Sequence, residues 1–315
     1  MTIQLSSTSP QISLRLLLSQ LLTEQIWSPW QPLQACWNTL STSGGLYRIR
    51  LDHEEQWLYL GQTSHLRNRV KMLKNIYHDK MPYTAPHTAG PALYAYRHLY
   101  PDATLEVSVC ILDVPQQTRL AMESLAIALH RQIYQQSPRC QFGRMPPEWK
   151  KSSGNSVQLV TCGKRFRGGP TNTPDESHLP DIAPTGILTQ GDVGTATWLN
   201  LAWSKWTPSA VSDVACGPAV GLYCLSSSDQ TPDLLFVGHG KIAQCLAPYK
   251  KRPLLCSWVA GAWHPHQRLA LVTDLIASYL LQTGKVPQKQ FISASSQTPG
   301  EMYLSSGMLS LLFAM

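Results

Sequence analysis

Three side chains in this sequence have types that could do acid–base and phosphate chemistry. Tyr47 and Tyr59 lie twelve residues apart, and Arg69 follows ten residues later. A phenol can pass a proton, and a guanidinium is cationic at every physiological pH and forks onto phosphate oxygens. The elements that position them read from local pattern. Leu46, Tyr47, Ile49 and Leu51 suit a sheet strand. Asp52 to Gln56 is a charged turn, and Trp57 to Leu60 is a second strand ended by Gly61. Thr63 or Ser64 offers a helix N-cap. Leu66, Val70 and Leu73 then repeat at helical spacing. Two tyrosines on paired strands and an arginine in the helix that follows make a compact polar cluster.

Further along, 91–100 reads as a helix, and Leu105 to Leu112 alternates as a third strand. Pro115 opens a helix running to about Tyr134, with Leu120, Leu125 and Leu129 on its apolar side and Glu123 among them. The expected fold class is α/β in the α+β sense: a small antiparallel three-stranded sheet flanked by helices.

These residues resemble the GIY-YIG nuclease family. Its two name motifs stand here as Gly45-Leu46-Tyr47 and Tyr59-Leu60-Gly61, and Arg69, eight residues beyond Gly61, stands at the family's catalytic arginine. Glu123 falls where the family keeps its metal-binding glutamate, on the helix after the third strand. The resemblance implies phosphodiester hydrolysis with Mg²⁺ (or Mn²⁺) held by Glu123. Arg69 would bind the phosphate, Tyr47 would take a proton from the attacking water, and Tyr59 would orient that water or hold Tyr47. An unperturbed phenol titrates near about 10, so nearby cations must assist Tyr47. The family often adds a histidine, for which His78 is the nearest downstream candidate and His65 the next. Asn155 is a candidate for an asparagine that some members carry.

The chain also repeats itself. Trp27-Ser28-Pro29-Trp30-Gln31-Pro32 leads to Gly45-Leu46-Tyr47, and Trp203-Ser204-Lys205-Trp206-Thr207-Pro208 leads to Gly221-Leu222-Tyr223, all at one offset of 176 residues. Leu235-Phe236-Val237-Gly238 answers the second motif with one residue inserted, and Arg268-Leu269-Ala270-Leu271-Val272 answers the run from Arg119 to Glu123. A shared offset over several motifs marks an internal repeat, so the fold is expected to be duplicated in tandem. The second copy carries Phe236 for Tyr59, Leu246 for Arg69 and Val272 for Glu123, with Asp274 out of register. It is therefore expected to serve packing, dimerisation or DNA contact without catalysis. The tryptophans of both copies are expected to be packing anchors.

The formal charge is +7 and unevenly spread. Residues 41–169 hold 17 Lys and Arg against 9 Asp and Glu, a net of +8, while 170–315 hold 8 against 9. A polyanion at the first half is the natural partner. The expected DNA-binding cations are Arg67, Lys71, Lys74, Lys150, Lys151, Lys164, Arg165 and Arg167, and Phe142, Trp149 and Phe166 interleave the basic tail as stacking surfaces.

Eight scattered cysteines without a Cys-x-x-Cys pair read as reduced thiols of a cytoplasmic protein. No apolar run is long enough to span a bilayer, and the leucine-rich 12–26 stretch reads as an amphipathic helix rather than a signal peptide. The expected organisation is a leading helical segment over 1–44, a nuclease domain with basic tail over 45–167, a Pro/Thr/Gly-rich linker over 168–195, a degenerate copy over 196–295 and a tail over 296–315. The favoured function is a restriction or defence endonuclease acting on DNA. A structure-selective repair or recombination nuclease and a non-catalytic DNA-binding protein are the alternatives. One active copy making a double-strand cut would need a homodimer or two sequential nicks.

Overall fold

A computed structural model describes residues 26–292 apart from 113, 212–215 and 228–232. The expected 12–26 helix, but for its last residue, and the 296–315 tail lie outside the described residues. Two compact units emerge: residues 26–119 with 137–180, and residues 120–136 with 181–292. Both are mixed α/β with antiparallel sheets, and the described residues hold six α-helices.

In the first unit β1 (Gln31–Pro32), β2 (Gly45–Leu51), β3 (Tyr59–Thr63) and β4 (Leu105–Ile111) form one sheet in the order β1-β4-β2-β3. The expected three-stranded sheet is thus four-stranded. The fourth strand is too short to show a period of two, and its proline needs no ladder donor, which suits an edge. It is held by its lead-in. The Ser28 N–H donates to the Val109 carbonyl at 2.8 Å, Val109 N–H donates to Ser28 Oγ at 3.0 Å, and Ser108 Oγ donates to the Ser28 carbonyl at 2.8 Å. On the same face of β2, Arg48 is 1% exposed, with its guanidinium carbon 4.4 Å from the Trp27 ring centre, 4.5 Å from Trp30 and 5.1 Å from Trp57. A buried cation needs such partners, so these tryptophans clasp a charge as well as anchor the chain. The opposite edge, β3, is covered by a later segment. Cys140 N–H donates to the Leu58 carbonyl at 2.7 Å, and Leu60 N–H donates to Gln141 Oε1 at 3.3 Å. Both edges are thereby blunted.

Helix α1 (Leu66–Lys71) follows β3, with α2 (Gly90–Leu99) and α3 (Gln116–Tyr134) further on. The N-cap of α1 is His65, not Thr63 or Ser64: its Nδ1 accepts from Asn68 N–H at 3.2 Å. Thr63 is still in β3 and accepts the His65 N–H at 3.1 Å instead. Gly61 sits inside β3 rather than at its end, because the strand continues to Thr63. After α3 come β5 (Trp149–Lys150), helix α4 (Val157–Thr161) and β6 (Gly169–Pro170), which pairs with β5.

The second unit holds β7 (Thr207–Pro208), β8 (Val220–Ser226), β9 (Leu234–Lys241), α5 (Ile242–Leu246), β10 (Leu255–Ala260) and α6 (Pro265–Thr283), and its sheet order is β7-β10-β8-β9. Ser204 repeats the bonding of Ser28: its N–H donates to the Trp258 carbonyl at 2.9 Å and its Oγ accepts from Trp258 N–H at 3.0 Å. Gln290 covers the β9 edge, accepting from Val237 N–H at 2.9 Å. Between β9 and β10 there is only α5 and the turn Ala247–Tyr249, with no counterpart of α2 among the described residues.

In this unit, Arg131 of α3 is fully buried. Its Nε and one terminal nitrogen meet the two carboxylate oxygens of Asp274 on α6 at 2.9 and 3.0 Å, and the other nitrogen meets Asp181 at 3.0 Å. Asp274, out of register with Glu123 in sequence, thus has a structural partner. The Pro/Thr/Gly-rich stretch is tied down here as well: Gln132 Nε2 donates to the Gly186 carbonyl at 3.1 Å and Thr185 Oγ1 to the Leu199 carbonyl at 2.6 Å.

Candidate active site

Tyr47 of β2 stands opposite Gly61 of β3, and Ile49 opposite Tyr59, so both tyrosines leave the sheet on one face. Their ring centres are 6.0 Å apart, with Tyr47 fully buried and Tyr59 5% exposed. The Tyr47 ring lies across Gly61. A methyl added there would stand 2.6 Å from Tyr47 Oη and 2.8 Å from Tyr59 Cε1. This close approach explains the glycine at the end of the second motif, and Gly238 has the same relation to Tyr223, at 2.6 Å. Gly61→Ala is therefore expected to displace both phenols and to destabilise the first unit by about 1–3 kcal/mol, the usual cost of overpacking. Thermal melting, together with loss of any activity the tyrosines support, checks this.

A residue absent from the sequence reading completes the cluster. His87 arrives on the strap between the 3₁₀ turn Met72–Tyr77 and α2, is 2% exposed, and places Nε2 2.7 Å from Tyr47 Oη. Its ring centre is 5.4 Å from that of Tyr59. Ala89 N–H donates to His87 Nδ1 at 3.2 Å. In a neutral ring the proton then sits on Nε2, which donates to the Tyr47 oxygen. Burial, and secondarily the charge of Arg69, hold the His87 pKa well below the usual histidine range, so the ring stays neutral. Arg69, on α1, donates to the Pro86 carbonyl at 2.8 Å and so fixes the strap one residue before His87.

Arg119, at the start of α3, donates to Gln62 Oε1 at 3.3 Å and to the Val114 carbonyl at 2.7 Å, next to the Tyr47–Gly61 pair. Glu123 lies one helical turn further, 7% exposed, in the part of α3 that belongs to the second unit. Tyr47, Tyr59, Arg69 and His87 are thus brought together. His78 is exposed at the end of the 3₁₀ turn, His65 caps α1, and Asn155 is exposed before α4. Nothing in the sequence pattern of 78–89 marks His87, because its place depends on the path of an aperiodic strap.

The expected DNA-binding cations divide by place. Arg67 Nε donates to the Leu40 carbonyl at 2.7 Å, so it fastens α1. Lys71 is exposed, and Lys74 is partly buried with its ammonium 5.7 Å from the Trp37 ring centre. Lys151 is partly buried, and burial lowers its pKa to about 8 despite the opposing charge of Asp175. Lys150, Lys164, Arg165 and Arg167 are exposed.

In the second unit, His239 takes the sequence place of Gln62. Burial, and secondarily the Arg268 charge, lower its pKa from 6.5 to about 4. Its folded pKa lies below the unfolded one, so its contribution to stability is full above pH 6.5 and falls away as the pH drops to about 4. His87 acts in the same direction. Each contributes a slope of at most about 1.4 kcal/mol per pH unit. Denaturant midpoints between pH 7.5 and 4.5 are expected to fall, and His239→Gln is expected to flatten the fall. An unchanged slope in that variant counts against the assignment.

A Mg²⁺ ion held by this chain would have one carboxylate, Glu123, as its protein ligand. The described residues contain no group of three or more His, Cys, Asp or Glu that could hold a metal. A lone hard oxygen donor fits Mg²⁺ or Mn²⁺, which keep waters and phosphate oxygens in their shells, and does not fit zinc. All eight cysteines are free, and no helix among the described residues is long and apolar enough to cross a membrane. Set against known protein families, curated proteins and solved structures, the chain matches none.

Proposed function

We propose that residues 45–167 form a metal-dependent DNA endonuclease of the GIY-YIG kind, used in restriction or defence against foreign DNA, and that residues 196–295 form a degenerate tandem copy. The observation that carries the reading is the buried Tyr47–His87 pair beside Arg69. His87 Nε2–H, donated to the Tyr47 oxygen, and the nearby Arg69 charge favour the phenolate form of Tyr47. That phenolate takes the proton of the attacking water and becomes the neutral phenol. Tyr59, on the same face, orients that water. Arg69 presents its guanidinium to the phosphate and stabilises the charge that builds there. Glu123 would hold the Mg²⁺, which when bound supplies Lewis-acid polarisation of the phosphate and stabilises the leaving oxygen.

The duplication is supported by the shared sheet order, by the equivalent Ser28 and Ser204 clasps, and by the equivalent Gln141 and Gln290 edge covers. The second copy has no counterpart of the His87 strap among the described residues, and it carries Phe236 for Tyr59. It keeps the packing and the Tyr223 phenol, and has Phe236, Leu246 and Val272 where the first copy has Tyr59, Arg69 and Glu123.

Plasmid cleavage with Mg²⁺ or Mn²⁺ by Arg69→Ala and Glu123→Ala tests the assignment. Both are expected to lose cutting by at least about 100-fold and to keep salt-sensitive DNA binding. Cutting at the wild-type rate by either variant removes that residue from the mechanism.

A further inference from the structure

The chain from Asn155 to Arg167 is an exposed arm that the proposed chemistry does not use. Every residue in it is exposed except Leu159, which is partly buried. Between Glu148 and Asp175 there is no acidic residue, while Lys150, Lys151, Lys164, Arg165 and Arg167 supply five cations. Three apolar side chains stand in the open: Val157 at 83% exposure, Val160 at 49% and Phe166 at 44%. A half-exposed ring with cations around it matches a ligand that is both flat and anionic.

The arm is fastened to the strap that carries His87. Thr84 N–H donates to the Ser153 carbonyl at 3.1 Å, and Arg167 donates to the Met81 carbonyl at 2.6 Å. The guanidinium carbons of Arg165 and Arg167 lie 4.2 and 4.4 Å from the Tyr83 ring centre. Phe166 is held by its backbone: its N–H donates to Ser153 Oγ at 2.9 Å and its carbonyl accepts from Ser153 N–H at 3.1 Å. Lys150 Nζ sits 4.8 Å from the Phe166 ring centre. Aromatic rings and guanidinium planes are thus pre-organised together around Tyr83, which lies four residues along the chain from His87.

A base-paired duplex offers phosphates and base edges, and its base faces are already stacked. Ring faces and guanidinium planes bind bases that have left the stack. We propose that Phe166 and Arg165, backed by Tyr83, form a stacking site for an unpaired base, so that the preferred ligand is nucleic acid with a single-stranded segment beside the cleavage site. This rests on the reading of the Tyr47 cluster as a phosphodiester-cleaving site, but its test does not need cleavage.

Fluorescence anisotropy in EDTA measures binding alone. The probes are a labelled 30-nucleotide single strand, a blunt duplex of the same sequence and a fork with splayed ends. The single strand and the fork are expected to bind at least about tenfold more tightly than the duplex. Phe166→Ala is expected to weaken the single strand and fork by about tenfold and leave the duplex unchanged, while Phe166→Trp keeps the preference. Lys164→Gln, a charge-only control, is expected to weaken all three alike. Equal affinity for duplex and single strand overturns the proposal, as does a Phe166→Ala loss that is uniform or nil, or no binding to any probe. A preference without cleavage of any substrate leaves the stacking site standing and sinks the nuclease reading; cleavage without a preference does the reverse.

Discussion

Tyr47→Phe is expected to reduce metal-dependent DNA cleavage by roughly 10²–10⁴-fold, the range that a positioned general base supplies. The ring volume is retained, so the packing of β2 against β3 should survive. What disappears is one oxygen, 2.7 Å from the Nε2 of the buried His87. The histidine N–H then loses its partner, at a stability cost of about 1–3 kcal/mol. Initial nicking rates and a thermal melt separate the two effects. A tenfold or smaller drop in rate with a normal melt would show that the proton goes elsewhere. His87→Gln belongs beside it: a glutamine amide that reaches the phenol would recover part of the rate, whereas His87→Ala would not.

The second large effect is on stability. Arg131→Met removes the guanidinium from a buried set that includes both Asp274 oxygens and Asp181. Burial already raises the Asp274 pKa against the pull of Arg131, so without Arg131 the carboxylate has to protonate or take up water. Breaking such a pair from one side costs about 3–5 kcal/mol. Chemical denaturation should show that loss, and the double variant Arg131→Met with Asp274→Leu should recover part of it, because one of the two stranded carboxylates is then gone. A single-variant loss under about 1 kcal/mol would mean that the set is well hydrated.

The alternation in Leu105–Ile111, the stripe through Leu66 and Val70, and the two Gly-Leu-Tyr motifs were legible because each is a local period or a local spacing. The 176-residue offset is likewise a spacing read directly from the sequence, and the two four-stranded sheets have the orders β1-β4-β2-β3 and β7-β10-β8-β9. Other features depend on where distant segments meet. β1 is two residues long and exists because Ser28 locks onto Val109. The burial of Arg48 needs three tryptophans from two separate stretches. The histidines expected near Arg69, His78 and His65, lie at the end of a 3₁₀ turn and at the cap of α1; the chain instead runs through a strap and brings His87 beside Tyr47, pinned through the carbonyl that Arg69 holds. Helix capping went to His65 because β3 extends to Thr63.

The most direct test of the central claim is the conversion of supercoiled plasmid to nicked or linear product by the wild-type protein in Mg²⁺, beside the same protein in EDTA and Tyr47→Phe in Mg²⁺. Cutting is expected only in the first of the three. If the wild type leaves plasmid, forks, flaps and RNA intact in both Mg²⁺ and Mn²⁺ while still binding them in a salt-sensitive way, the Tyr47 cluster is not a nuclease site and the first unit is a nucleic-acid-binding module.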